Sequence, residues 1–205
     1  MAGGYVIAEY QSIKHDFPEF ERVMSNAREA LLELARADWA PLTFGGMSAT
    51  AGQFSESTIM PELFADRLGT RLTTWHQTYD VVNLGMTIPG HNVIMQGAQT
   101  PGYTIYEDYK IALVGFAFLD KAVRISEVKM QISDRKLPRV NLEEAMIYEK
   151  PAVVFEDFFL LDEETGFEMM AYVLSHGPQR IKLIGTQVNR VPNKMQVTNT
   201  GAALT

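Results

Sequence analysis

Residues Tyr109 to Leu119 read YKIALVGFAFL. The run is apolar at odd and even positions alike, and it is far too short to span a bilayer. Its aromatic and β-branched content suits a strand. A strand with no polar face is buried on both sides, or it bends at the glycine in its middle, Gly115.

Downstream, further short strands follow. Val123 to Ile132 alternates, but its apolar parity shifts between Ile125 and Val128, which predicts a one-residue bulge near Ser126 and Glu127. Asp134 to Pro138 reads as a turn. Asn141 to Tyr148 reads as a short helix, with Asn141 and Glu144 as a cap pair and Pro151 just beyond. Ala152 to Phe155 and Phe158 to Leu161 are strand-like. Asp162 to Gly166 (DEETG) forms a hairpin loop and Phe167 to Leu174 its return strand. His176 to Gln179 is a turn before a last strand, Arg180 to Val188. The tail from Pro192 to Thr205 is polar and small, so it is expected to be poorly anchored.

Upstream, Thr70 to Tyr79, Val81 to Ile88 and Asn92 to Met95 have strand character, with Pro89-Gly90 as a turn and Gln96 to Gly102 as a loop. Short strands at intervals of about ten residues, with no βαβ alternation, predict a mainly β antiparallel sandwich or jelly roll.

The N-terminal region differs. Tyr5 to Tyr10 suits a short strand. Phe20, Val23, Met24, Ala27, Leu31 and Leu34 then recur at three- and four-residue spacing, which predicts an amphipathic helix from Pro18 to Ala37. Asp16 and Glu19 are placed to cap it and Pro41 to stop it. Pro41 to Ser57, rich in Gly, Ala, Ser and Thr, reads as a flexible linker. Thr58 to Leu68 reads as a second short helix ended by Gly69. The expected organisation is residues 1–57 as helix plus linker, 58–191 as the jelly-roll domain and 192–205 as a tail.

Composition narrows function. The chain has 205 residues, 18 Lys+Arg against 25 Asp+Glu, a net charge of −7, 46% hydrophobic residues and no cysteine. That length buries a full core without disulfides or metal. The apolar content excludes a disordered chain. Lack of cysteine removes disulfide scaffolds, zinc fingers, iron–sulfur sites and thiol nucleophiles. The acidic balance argues against a dedicated nucleic-acid binder. The N-terminus has neither a basic nor an apolar signal region, which points to synthesis in a cytoplasm.

No motif carries chemistry. His76 and His91 stand in no metal-ligand spacing, and a cupin-like site, which would need H-x-H with a later Glu and His, finds no match. Glu156, Asp157, Asp162, Glu163 and Glu164 lack the spacing of a calcium loop and read as a solvated hairpin. Trp75, Tyr79, Tyr103, Tyr106 and Tyr109 could line a sugar or peptide face, but they equally fill a sandwich core. Arg135, Lys136 and Arg139 are the best phosphate contacts, in a turn that reads as solvated. Gly45-Gly46 has no phosphate-loop context, and Ser126 and Ser175 sit in no nucleophile elbow.

In strand order, the stretch from Ile105 to Val191 resembles the jelly-roll coat proteins of icosahedral archaeal and bacterial viruses, the lineage built from upright single jelly rolls. The residues that carry the resemblance are KIALVGFAFLDKAVRISEVKMQI, then NLEEAMIYEKPAVVFED, FFLLDEETGFEMMAYVLS and HGPQRIKLIGTQVNR. The resemblance implies a non-catalytic, cofactor-free capsid subunit located in a virion. It would assemble as rings of five or six with other virion proteins, with an internal membrane as a further partner. The expected contact residues are Phe20, Val23, Leu31, Leu34, Trp75 and Phe116, because apolar residues on both faces of Tyr109 to Leu119 exceed what an isolated sandwich needs. Two other classes stay open: a tail-tube or fibre subunit, and a sugar- or small-molecule-binding or cupin-like sandwich.

Overall fold

The computed structural model describes residues 4–39, 54–121 and 123–190. Its strands form two antiparallel sheets. Sheet I contains β1 (Tyr5–Glu9), β10 (Pro151–Leu161), β6 (Tyr109–Phe118), β12 (Gly177–Arg190) and β2 (Phe54–Thr58), in that order, with β4 (His76–Tyr79) also paired to β12. Sheet II runs β3 (Phe64–Ala65), β5 (Gly90–Gly97), β11 (Phe167–Val173), β7 (Ile125–Ile132) and β8 (Arg135–Lys136), with β9 (Val140–Asn141) also paired to β7. From β4 onward the long strands alternate between sheets: β4 in I, β5 in II, β6 in I, β7 in II, β10 in I, β11 in II, β12 in I. That connectivity makes the sandwich a jelly roll.

The central strand β6 explains its own sequence. Ile111, Leu113, Phe116 and Phe118 lie buried in the core between the sheets, while Ala112, Val114 and Ala117 are buried on the opposite face. The inward set changes parity at Val114, the residue skipped where β12 pairs with Leu113 and Gly115. The strand is therefore buried on both sides, and its ladder slips by one residue beside the glycine, at Val114. A Cβ on Gly115 would run into the Val153 carbonyl of β10, so only glycine lets that strand come so close.

The outer face of sheet I is covered by α2 (Glu19–Trp39). Phe20, Val23, Ala27, Leu31, Ala35 and Trp39 are its buried stripe, set against Ala112, Val114, Ala117, Ala152, Val154, Ile184 and Val188. The alanines of β6 and β10 let the helix lie close to the sheet, and burial of one Leu in such a seam contributes about 2–3 kcal/mol. A shorter helix, α1 (Ile13–Asp16), precedes α2.

The N-terminal region is therefore built into the jelly roll rather than appended to it. β1 pairs with β10 from Tyr5 with Phe155 to Glu9 with Pro151, and β2 pairs with β12 from Thr58 with Thr186 to Phe54 with Arg190. The expected boundary between residues 57 and 58 falls inside β2. Most of the expected linker, and the tail 192–205, lie outside the described residues.

Other expectations are revised locally. Thr58 to Leu68 is not a helix but a strand end, one 3-10 turn at Pro61–Leu63 and the short β3. Val81 to Ile88 is not a strand. Its start is the helical turn α3 (Val81–Leu84), because Asp80 Oδ1 accepts from the backbone N–H groups of Val82 (2.7 Å) and Asn83 (3.1 Å). Gly85, in the left-handed conformation, ends that turn. The bulge near Ser126 is present: Tyr172 pairs with Glu127 and Val173 with Ile125, leaving Ser126 unpaired. Asn141 to Tyr148 contains a 3-10 turn, Glu144–Ile147.

Candidate functional site

The two ends of the sandwich are closed differently. One end, the hairpin end, collects the connections 98–108, 133–134 and 162–166. Here Lys110, 1% exposed, donates to Asp38 Oδ2 at 2.7 Å and to Asp162, and its ammonium sits 5.1 Å from the centre of the Trp39 ring. The Trp39 indole N–H donates to Glu163 Oε1 at 2.9 Å, and the Asp108 backbone N–H donates to the same oxygen at 3.0 Å. Burial pulls the Lys110 ammonium down, but its hydrogen bonds to Asp162 and Asp38 and their charges outweigh that and hold it above its ordinary value. The DEETG carboxylates Asp162 and Glu163, read from sequence as a solvated hairpin loop, thus pin the C-terminal end of α2 to the β10–β11 connection, which crosses from sheet I to sheet II instead of closing a hairpin.

The other end, the crossing end, collects the connections 80–89, 119–124, 142–150 and 174–176. Beneath them lies a polar network. The Arg180 guanidinium pairs with Asp120 Oδ1 at 2.7 Å, and its backbone N–H donates to Oδ2 at 2.5 Å. Burial pushes Asp120 up, but these bonds and the Arg180 charge pull its carboxyl below the ordinary range. Arg124 donates to Ser175 Oγ at 3.1 Å and to the carbonyls of His176 (2.6 Å) and Pro178 (3.1 Å). Above this network the loop tips are apolar. Val82 is 88% exposed, Ile147 80%, Met146 49%, and Val81 and Leu174 39% each. Five of the large exposed hydrophobics therefore belong to three loops of a single end.

A groove of about 300 Å³ opens on the β4–β5 flank of this same end. Its apolar lining includes Leu72, Leu84, Met86 and Ile94, and its polar lining includes Arg67, His76, Gln77 and Thr78. Among the described residues, Gln77 Nε2 is buried and finds no acceptor. Tyr79 also lines the groove. Burial, and then the charge of Asp120, push its hydroxyl far up, so it stays protonated.

The residues expected from sequence fall into different places. Phe20, Val23 and Leu31 are buried beneath α2, and Phe116 is buried between the sheets, so the chain's own core takes these four out of reach of a neighbour. Leu34 and Trp75 are half-buried, the latter against Phe64 with ring centres 6.1 Å apart. His76 and His91 are exposed on strands of different sheets, and His91 meets Tyr172 edge-on at 5.0 Å. No group of three His, Cys, Asp or Glu among the described residues could hold a metal. Arg139 pairs with Glu127 at 3.1 Å, which also takes Lys129 at 3.0 Å, so the basic stretch on sheet II is partly neutralised. Sequence reasoning missed the apolar tips, because Met146 and Ile147 lie in a segment with helix-like spacing that gives no sign of which face is free.

No family model, curated protein or solved structure matches this chain. Among the described residues, no helix is long and apolar enough to cross a membrane.

Proposed function

We propose that this chain is a structural subunit that assembles with copies of itself into a closed shell of the virus-capsid kind and performs no catalysis. The observation that carries this reading is the set of aliphatic side chains, Val81, Val82, Met146, Ile147 and Leu174, that three loops hold out at one end of a jelly roll. Water-exposed aliphatic tips gathered at one end serve contact with another surface rather than folding. The connectivity supports the same reading, since from β4 onward the long strands alternate between the two sheets as in a jelly roll, the fold that the resemblance implies. On this reading the location is a virion, the partners are further copies in rings of five or six with other virion proteins, and neither cofactor nor genome is bound directly.

The test is light scattering on the concentrated full chain alongside negative-stain micrographs. Rings or closed shells are expected. A species that stays at 23.0 kDa across protein concentration and salt overturns the proposal.

A further inference from the structure

The flank of sheet II built from β7, β8 and β9 carries an acidic apolar knob and a basic apolar groove. The knob is the 3-10 turn Glu144–Ile147, in the connection that leaves β9. Side chains three apart eclipse in such a turn, and the Met146 N–H donates to the Glu143 carbonyl at 3.3 Å. Glu143 therefore stands beside Met146, and Glu144 beside Ile147. Both carboxylates are exposed, and neither has an ion-pair partner among the described residues.

The groove has a volume of about 330 Å³ and lies over β7 and β11. Met130, Leu137 and Met170 give it an apolar floor. Its charged lining is Lys129, Lys136 and Arg139 against Glu168. Glu127 answers Lys129 and Arg139 with one shared carboxylate, and exposed Lys136 has no ion-pair partner among the described residues. The groove thus keeps a surplus of positive charge, whereas in the α3–β4–β5 groove Asp66 and Asp80 outnumber Arg67. Lys129 is the cross-strand neighbour of Met170, so cation and aliphatic stand together here as acid and aliphatic do on the knob.

We infer that Met146 and Ile147 of one copy seat in this groove of a second copy, with Glu143 and Glu144 against its cations. This rests on the self-assembly reading above and names one of its contacts. The occupant is argued from charge. Copies that each carry −7 repel one another, so a contact between them needs its charges matched. The knob is exposed although the groove belongs to the same chain, so a chain does not fill its own groove. Knob and groove share one flank, and a twofold axis between two copies engages both contacts at once. Such a contact joins copies in pairs, and so links one ring to the next.

The test is light scattering over a dilution series of full-length chains. The variants are Ile147→Lys, Glu144→Lys, Lys136→Glu, and the last two combined. All three positions are exposed, so folding should be retained, and thermal melts check this. Wild-type chain should associate. Ile147→Lys should weaken association at least about 30-fold, the range of an interface hot spot. Each single charge reversal should weaken it about 10-fold through like-charge contact. The combined variant should recover most of that loss, because the reversed charges then face each other. Folded single variants that associate like wild type, or a combined variant no better than either single one, overturn this contact and leave the self-assembly reading standing. A wild-type chain that stays at 23.0 kDa throughout overturns both.

Discussion

Sheet I turns Ala112, Val114, Ala152, Val154 and Ile184 outward, whereas sheet II turns out Glu127, Lys129, Gln131, Glu168, Met170 and Tyr172. The first face needs a cover, and α2 supplies it from the same chain. The second alternates between buried and half-buried side chains along β7 and β11, the pattern of a sheet with one wet side. The contrast separates two kinds of apolar surplus. The surplus on β6 is consumed inside the molecule and says nothing about partners. The surplus on the loop tips of the crossing end has no cover from the described residues.

The comparison breaks most directly at Leu31, which is fully buried between α2 and sheet I. Leu31→Asp places an unpaired carboxylate there and should cost about 4 kcal/mol or more, against about 2–5 for Leu31→Ala. Denaturant midpoints measure both, and a Leu31→Asp chain as stable as wild type would mean that α2 does not cover this sheet.

Lys110→Met tests the latch that holds the covering helix down, with an expected loss of about 2 kcal/mol at neutral pH. The pH dependence follows from the raised ammonium. The contribution is complete below the ordinary lysine value of 10.5 and fades as pH climbs through the higher folded value. The gap in melting temperature between wild type and variant should therefore be constant from pH 7 to 9 and narrow above 10.5. A gap that widens with alkali would contradict the assignment.

The smallest effect belongs to sheet II. Met170→Thr, on its half-buried outer side, should change stability by no more than about 0.5 kcal/mol. A loss comparable to Leu31→Ala would show that sheet II is as firmly covered as sheet I.

Local signals in the sequence were sufficient for much of this architecture. The stripe of α2 is readable because its spacing repeats over five turns. The bulge at Ser126 is readable because a single parity slip cannot otherwise keep Ile125 and Val128 both buried. The turn at Val81–Leu84 is not: two valines argue for a strand, and one aspartate overrides them by capping two N–H groups. Partner choice is not local either. The same pattern on Phe20, Val23 and Leu31 serves a helix docked on its own sheet or on a neighbour's, and only the pairing of β1 with residues about 145 positions away settles it. The groove escaped for the same reason, since β4 and β5 flank it from opposite sheets while His76 and Thr78 look like ordinary edge residues in sequence.

The strap formed by β1, α2 and β2 also bears on the order in which the molecule can be completed. The strap is synthesised first, yet its strands pair with β10 and β12, the first and last of the three long strands made at the end of the chain. At about 5–20 residues per second, α2 leaves the ribosome roughly 8–30 s before β12 does. Its apolar stripe spends that interval without the sheet that later receives it. A newly made chain thus passes through a period when the helix is available to any apolar surface nearby, chaperones included, before its own last strand withdraws it.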